Sequence, residues 1–300
     1  MGKPSCSTLR AAPRRIAPPW RRANVVVGSA ILTIVVVMAL LSLVWTPYDP
    51  IGQEIPASLE GPSLRHLLGT DQYGRDVLSR VMVGAQITLL VGLVAVGIGF
   101  ILGTALGIWA GLGGWAADEV AMRGMDVLFA FPAVLTALLL WASLGKGVVT
   151  SMVAIGIASV PLFARLARSG VVVVRELDYV VAARAMGLGR AAVALRHILP
   201  NVLSPLIVQA TIEFAVAILA EAGLSYLGLG TQPPFPSWGR MLREAQTFLG
   251  IAPHLALFPG LAIFVTVLGT NLLGDGLRDL LDPRLPSRLP PGRTTRPGVS

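Results

Sequence analysis

Charge is scarce in this chain. Only 13% of its 300 residues are Asp, Glu, Lys or Arg, against ~25% in an ordinary soluble domain. That deficit excludes a protein whose whole surface meets water. Cysteine is scarcer still. Cys6 stands alone, so no disulfide closes within the chain. The three histidines, His66, His197 and His254, lie far apart and show no metal-ligand spacing, so no metal site is expected. No G-x-x-x-x-G-K-[ST] loop occurs. The "LGKG" at 144–147 lacks the upstream glycine and the hydroxyl, which argues against ATP binding through a P-loop. HExxH, CxxC and G-x-S-x-G are missing too. Nothing supports a catalytic role, and no cofactor is expected on this chain.

Apolar residues are abundant. They make up 54% of the chain, and the mean hydropathy is +0.72. Uncharged runs cover 24–45, 81–117, 127–145, 147–164, 222–239 and 245–274. A membrane-crossing helix needs ~20 apolar residues. The pattern predicts an all-α polytopic membrane protein with six spans, near 24–46, 86–111, 126–145, 148–167, 203–228 and 255–275. Arg14, Arg15, Arg21 and Arg22 precede the first run as in a secretory signal. Such a signal has an apolar core of only ~7–15 residues, and Val25 to Trp45 is longer. It reads as an uncleaved first span.

Basic residues orient the spans. With both termini in the cytoplasm, 18 of the 24 Lys and Arg fall on the cytoplasmic side, as the positive-inside rule requires. The net charge of +8 is therefore read as topology and not as a nucleic-acid surface. Residues 1–23 form a basic cytoplasmic N-terminus, 24–46 the first span and 47–85 an extracytoplasmic segment. Residues 86–282 form the membrane core with a cytoplasmic loop at 168–202. The tail, 283–300, is rich in Pro and Arg and reads as disordered.

Two features stand out inside the spans. Gly99, Gly103, Gly107 and Gly111 recur every fourth residue and line one face of a helix. Such a stripe lets another backbone approach. It reads first as packing within the chain and second as a contact with another membrane subunit. Glu213 and Glu221 lie in the fifth span. Ionisable groups there are costly and point to function by default. Eight residues place them ~80° apart on an ideal helix, so both could face one translocation path. Hydrogen bonding to neighbouring helices is the other reading.

Outside the spans, "LGTDQYGRDVLSR" contains Asp71 with Arg75 and Asp76 with Arg80 at i,i+4 spacing. It predicts a short interfacial helix capped by Thr70 or Asp71. In "TQPPFPSWGRML", Trp238 reads as an interfacial anchor.

The loop "DYVVAARAMGLGRAAVALRHILPN" spans Asp178 to Asn201. Tyr179 to Met186 reads as a short helix on which Ala182 and Ala183 offer a flat face. Gly187 and Gly189 bend the chain. A second helical segment, Arg190 to Leu199, ends at Pro200, which has no N–H to give. A helix-bend-helix suits docking into a partner's groove. A plain loop solvated by its arginines is the alternative.

"YVVAARAMG…HILPN" resembles the EAA loop of the membrane subunits of bacterial ABC importers. Ala182, Ala183 and Gly187 match the motif, with Leu199 and Pro200 at its end. Val181 stands where the motif has Glu, and His197 where its end often has Ile. "HLLGTDQYGRDVLSRVMVGAQITLLVG", "MDVLFAFP", "EAGLSYLGLGTQPPFPSWGRML" and "NLLGDGLRDLLDPRL" resemble the C-type permease of the oligopeptide/dipeptide/nickel importers. The likeness covers roughly 66–285.

The resemblance implies a fold like that of type I ABC importer permeases. It implies a heterodimer with a second permease, two ATPase subunits carrying ATP and Mg, and an extracytoplasmic binding protein. Tyr179, Ala182, Ala183, Arg184, Gly187 and Leu188 would then couple to the ATPase. With Val181 in place of Glu, packing must dominate that contact. Peptides are the first expected substrate, with nickel or another small solute behind. A self-sufficient secondary transporter remains the competing class. It would usually show an internal repeat, and no convincing repeat occurs.

Overall fold

A computed structural model describes residues 19–281. The basic stretch before residue 19 and the 283–300 tail lie outside the described residues. Ten α-helices follow in order: α1 (Pro19–Leu41), α2 (Val77–Gly113), α3 (Trp115–Ala130), α4 (Ala133–Leu144), α5 (Val148–Val174), α6 (Asp178–Ala185), α7 (Arg190–Val193), α8 (Leu199–Leu227), α9 (Trp238–Ala245) and α10 (His254–Leu281). One isolated bridge, Thr70 to Asp76, is the extent of β-pairing among the described residues.

Among the described residues, five helices are long and apolar enough to cross a membrane, and α3 with α4 makes a sixth if the pair counts as one span. The third span, expected near 126–145, is instead a pair of helices bent by 90° between α3 and α4. Phe131 and Pro132 have extended ψ values of 125° and 133° there. Proline forces this, because its ring disfavours helical backbone in the residue before it. α2 also departs from expectation. No separate interfacial helix precedes it: Val77 already begins the 37-residue helix. Its cap is Asp76, not Thr70 or Asp71. Asp76 Oδ2 accepts from Ser79 N at 2.8 Å.

The glycine stripe explains the tightest pair. Gly99, Gly103, Gly107 and Gly111 are all buried and all face α5. A Cβ on Gly103 would lie 2.6 Å from the Val160 carbonyl oxygen, and one on Gly107 2.4 Å from that of Ala164. Glycine alone lets the two backbones meet. The stripe is thus filled by this chain's own helix. α1 reaches α10 in the same way, for a Cβ on Gly28 would lie 2.7 Å from the Gly269 carbonyl oxygen. Arg168 makes a two-pronged ion pair with Asp118, and Arg165 reaches Asp126 at 2.8 Å. These arginines clamp α3 to α5.

Two apolar cores result. One joins α2, α5 and α8 and runs down to Val180, Val193 and Ile198. The other joins α1, α2, α8, α9 and α10 around Trp238. Trp238 is fully buried and donates from Nε1 to the Val81 carbonyl at 3.0 Å. It is a core residue and not the exposed interfacial anchor expected from its loop. The bundle therefore has an α6 end and an α9 end.

At the α9 end, buried charges pin the 47–76 segment to α9. Arg75 pairs with Asp71 at 2.6 Å. Arg80 does not pair with Asp76. It reaches Glu244 at 2.9 Å, and Arg75 reaches the same carboxylate oxygen at 3.0 Å. Arg240 binds its other oxygen at 2.8 Å. Asp76 turns instead to His66, at 3.0 Å. Glu244 thus gathers three arginines. Glu244→Gln removes the carboxylate that joins them and leaves Asp71 to Arg75 and Arg80, so the loss stays below the ~3–5 kcal/mol of a fully unpaired buried charge. We expect a lower Tm in detergent and faster proteolysis of the 47–76 segment. An unchanged Tm would mean that the cluster contributes nothing.

Candidate functional site

The α5–α8 turn begins where α5 ends at Val174. Arg175 donates to the Gly111 carbonyl at 2.7 Å and ties this turn to the end of α2. α6 then carries Asp178 in its first turn and Arg184 in its last, both favourable to the helix dipole. Its two sides differ sharply. Val180 and Ala183 are buried against the chain's own core. Leu177, Tyr179, Val181 and Met186 are 41%, 46%, 51% and 75% exposed, and Ala182 and Arg184 are exposed with them. The expected flat face of Ala182 and Ala183 is therefore divided. Ala182 looks outward, while Ala183 supports the helix from beneath.

The stop of α6 is a left-handed cap. Gly187 has φ +88°. Its N–H donates to the Arg184 carbonyl, and Leu188 N–H donates to that of Ala183, the paired bonds of a Schellman end. Open space surrounds the Gly187 Cα, so only its backbone demands glycine. Gly187→Ala should cost ~1–2 kcal/mol of local helix stability through its left-handed φ. Faster hydrogen exchange of the Gly187 and Leu188 amides is the measurement, and unchanged protection would count against the cap.

α6 is fixed to the next span. Asn201 Nδ2 donates to the Tyr179 hydroxyl at 3.1 Å and to the His197 carbonyl at 2.6 Å. The Tyr179 and His197 rings lie 6.2 Å apart. Pro200 does not end the second helical segment as expected. Helix continues from Arg190 to Leu227 because Ala194–Ile198 widens into a π turn, in which Leu199 N–H donates to the Ala194 carbonyl. The wider turn makes room for the proline ring that follows. Arg184 and Leu188 also line a cavity of about 470 Å³ with Arg175, Arg190 and Gly111.

Above this turn, one face of α8 lines two further cavities. The lower holds about 640 Å³ between Leu166, Asn201, Ser204, Gln209 and Arg278. The upper holds about 380 Å³ between Ser159, Leu162, Glu213, Val216 and Phe129. Ser159 Oγ donates to Glu213 Oε2 at 3.1 Å, and Gln209 Nε2 to Oε1 at 3.3 Å. Glu221 is not brought to this groove. It is 1% exposed, accepts from Ser225 Oγ at 2.7 Å and lies beside Thr88 and Ser237. The ~80° separation that would allow a shared face turns it towards α2 and the α9 cap instead.

Sequence reasoning missed three groups here. Asn201 and His197 hold Tyr179, and Gln209 orients Glu213. Gln209 stands four residues before Glu213, a spacing that could have marked it. The tie from Asn201 to Tyr179 crosses 22 residues and leaves no local signal.

A chain with these spans, an outward apolar turn at one end and a groove between two spans is a multi-pass membrane permease. Comparison with known proteins places it more closely. The chain belongs to the family of binding-protein-dependent transport system inner membrane components, whose model matches residues 103–286. It is thus a multi-pass protein of the bacterial inner membrane. It is 43% identical to the glutathione transport system permease protein GsiD of Pectobacterium atrosepticum, over 91% of this chain and 94% of that protein. It is 42% identical to the dipeptide transport system permease protein DppC of Alkalihalophilus pseudofirmus, over 90% and 91%. A solved amino acid ABC transporter with histidines aligns with a TM-score of 0.52 at 20% identity, over 66% of this chain and 92% of that one. At that identity the likeness speaks for the fold alone.

Proposed function

We propose that this permease is one half of the membrane pathway of an ATP-driven importer of small peptides. It acts without chemistry of its own. The pathway closes against a second, related permease. Two ATPase subunits, holding ATP and Mg, dock from the cytoplasm at the α6 end. A substrate-binding protein delivers peptide at the α9 end. Relatives named for dipeptide and glutathione transport favour peptides over nickel.

One observation carries the mechanism. The exposed face of α6 is tied to a single continuous helix, from Arg190 to Leu227, that also lines the groove. Tyr179, Ala182, Arg184 and Leu188 meet the ATPase directly, with Ala183 and Gly187 shaping the turn beneath. When the ATPases close on ATP, α6 moves with them. Asn201 passes the displacement to α8, so that the groove wall carrying Glu213 moves relative to α5. Glu221 holds α8 to α2 and the α9 cap and is a structural residue.

Reconstitution tests this. The permease is placed in liposomes with its second permease, its ATPases and its binding protein, and uptake of labelled dipeptide is followed with and without ATP. ATP-dependent dipeptide uptake is expected. Uptake that persists without the ATPases would overturn the coupled mechanism, and ATP-driven uptake of nickel in place of peptide would overturn the substrate.

A further inference from the structure

The groove between α5 and α8 has an uneven chemistry. Among the described residues lining its upper cavity, Glu213 is the one that carries charge. Ile155, Leu162, Val216 and Ala220 surround it. Both cavities fall within the ~300–1,000 Å³ of small-ligand pockets. Glu213 is 8% exposed, and the side chains that donate to it, Ser159 and Gln209, are neutral. They fix the carboxylate but leave its charge uncompensated. A carboxylate offers about four lone-pair positions, so room remains for a third, cationic donor. A buried charge is strongly favoured when such a partner arrives.

Resting on the peptide reading above, we propose that Glu213 is the groove's contact for the α-ammonium group of the transported peptide. The ammonium donates to Glu213, while the apolar wall takes the peptide's side chains without selecting among them. A free carboxylate is repelled from this position. The lower cavity supplies the complement. Its lining is polar and neutral at Asn201, Ser204 and Gln209, and Arg278 is its charged residue. Acid in the upper cavity and base in the lower set the order of a zwitterion, with its amino end at Glu213 and its carboxylate towards Arg278. Gln209 lines the lower cavity and bonds to Glu213, so it joins the two parts.

The test uses the full reconstituted complex. Uptake of a free dipeptide and of its N-acetylated form is measured at concentrations that saturate the binding protein. Glu213→Gln keeps the side chain's size and removes its charge. We expect kcat/KM for the free dipeptide to fall at least tenfold, with import of the acetylated form no lower than in wild type. Glu213→Asp should recover part of the loss. Unchanged import of the free dipeptide by Glu213→Gln would overturn the ammonium contact, as would an equal loss for both peptides. If the wild-type complex imports no peptide at all, it is the underlying peptide reading that fails.

Discussion

We expect Met186→Asp to insert and fold like wild type yet lose ATP-driven uptake by about 100-fold. Met186 is 75% exposed at the end of α6, so an aspartate there buries nothing in the isolated chain and costs it only ~0.3–1 kcal/mol against the helix dipole. Leu177, Tyr179 and Val181 give the same face its apolar character. Docking would strip water from a new carboxylate set in this apolar face. An unpaired polar or charged group in such a contact costs ~3 kcal/mol, which is ~100-fold in affinity at ~1.4 kcal/mol per tenfold. Co-purification of the ATPases and ATP-dependent uptake are the two readouts. Full docking by this variant would sink the assignment of α6 as the coupling helix. Ala183→Asp makes a poor substitute because Ala183 is only 3% exposed. It would bury a charge inside the permease itself, and its loss of uptake would report damage to the loop.

The second large effect is expected at Gly107. Gly107→Leu should leave little folded permease in the membrane. The added Cβ alone would lie 2.4 Å from the Ala164 carbonyl oxygen and 2.9 Å from Arg168 N. Both are backbone atoms and cannot swing aside. Overpacking typically costs ~1–3 kcal/mol where side chains can yield, and the cost here exceeds that range. α2 and α5 would separate, and the Arg168–Asp118 clamp would be displaced with them. Gly97→Leu is the control on the same helix, because nothing lies within 4 Å of its added Cβ. Yield of folded protein and Tm should fall for the first and hold for the second. Equal behaviour of the two would show that α2 and α5 do not depend on backbone contact.

Helical class, the long apolar spans and the helix-bend-helix after Asp178 are legible in the order of the residues. They follow from charge scarcity, run length and motif. These signals are local, so a linear chain displays them. Hydropathy reads one span near 126–145 and does not register the bend that Pro132 imposes. Propensity ends the Arg190–Leu199 segment at Pro200 because a π turn is a tertiary accommodation. Asp76 and Arg80 stand four residues apart and still do not pair, since His66 and Glu244 offer each a better partner.

The sequence alone determined that this chain is helical, that it spans a membrane several times, and where its apolar runs lie. Those properties depend on composition and order along the chain. Tertiary structure alone decided which faces are free. It filled the glycine stripe with α5, turned Ala183 and Trp238 inward, and sent Glu213 to a groove and Glu221 to a buried contact. A residue's spacing fixes its angle on its own helix. Only the neighbouring helices fix what that angle faces.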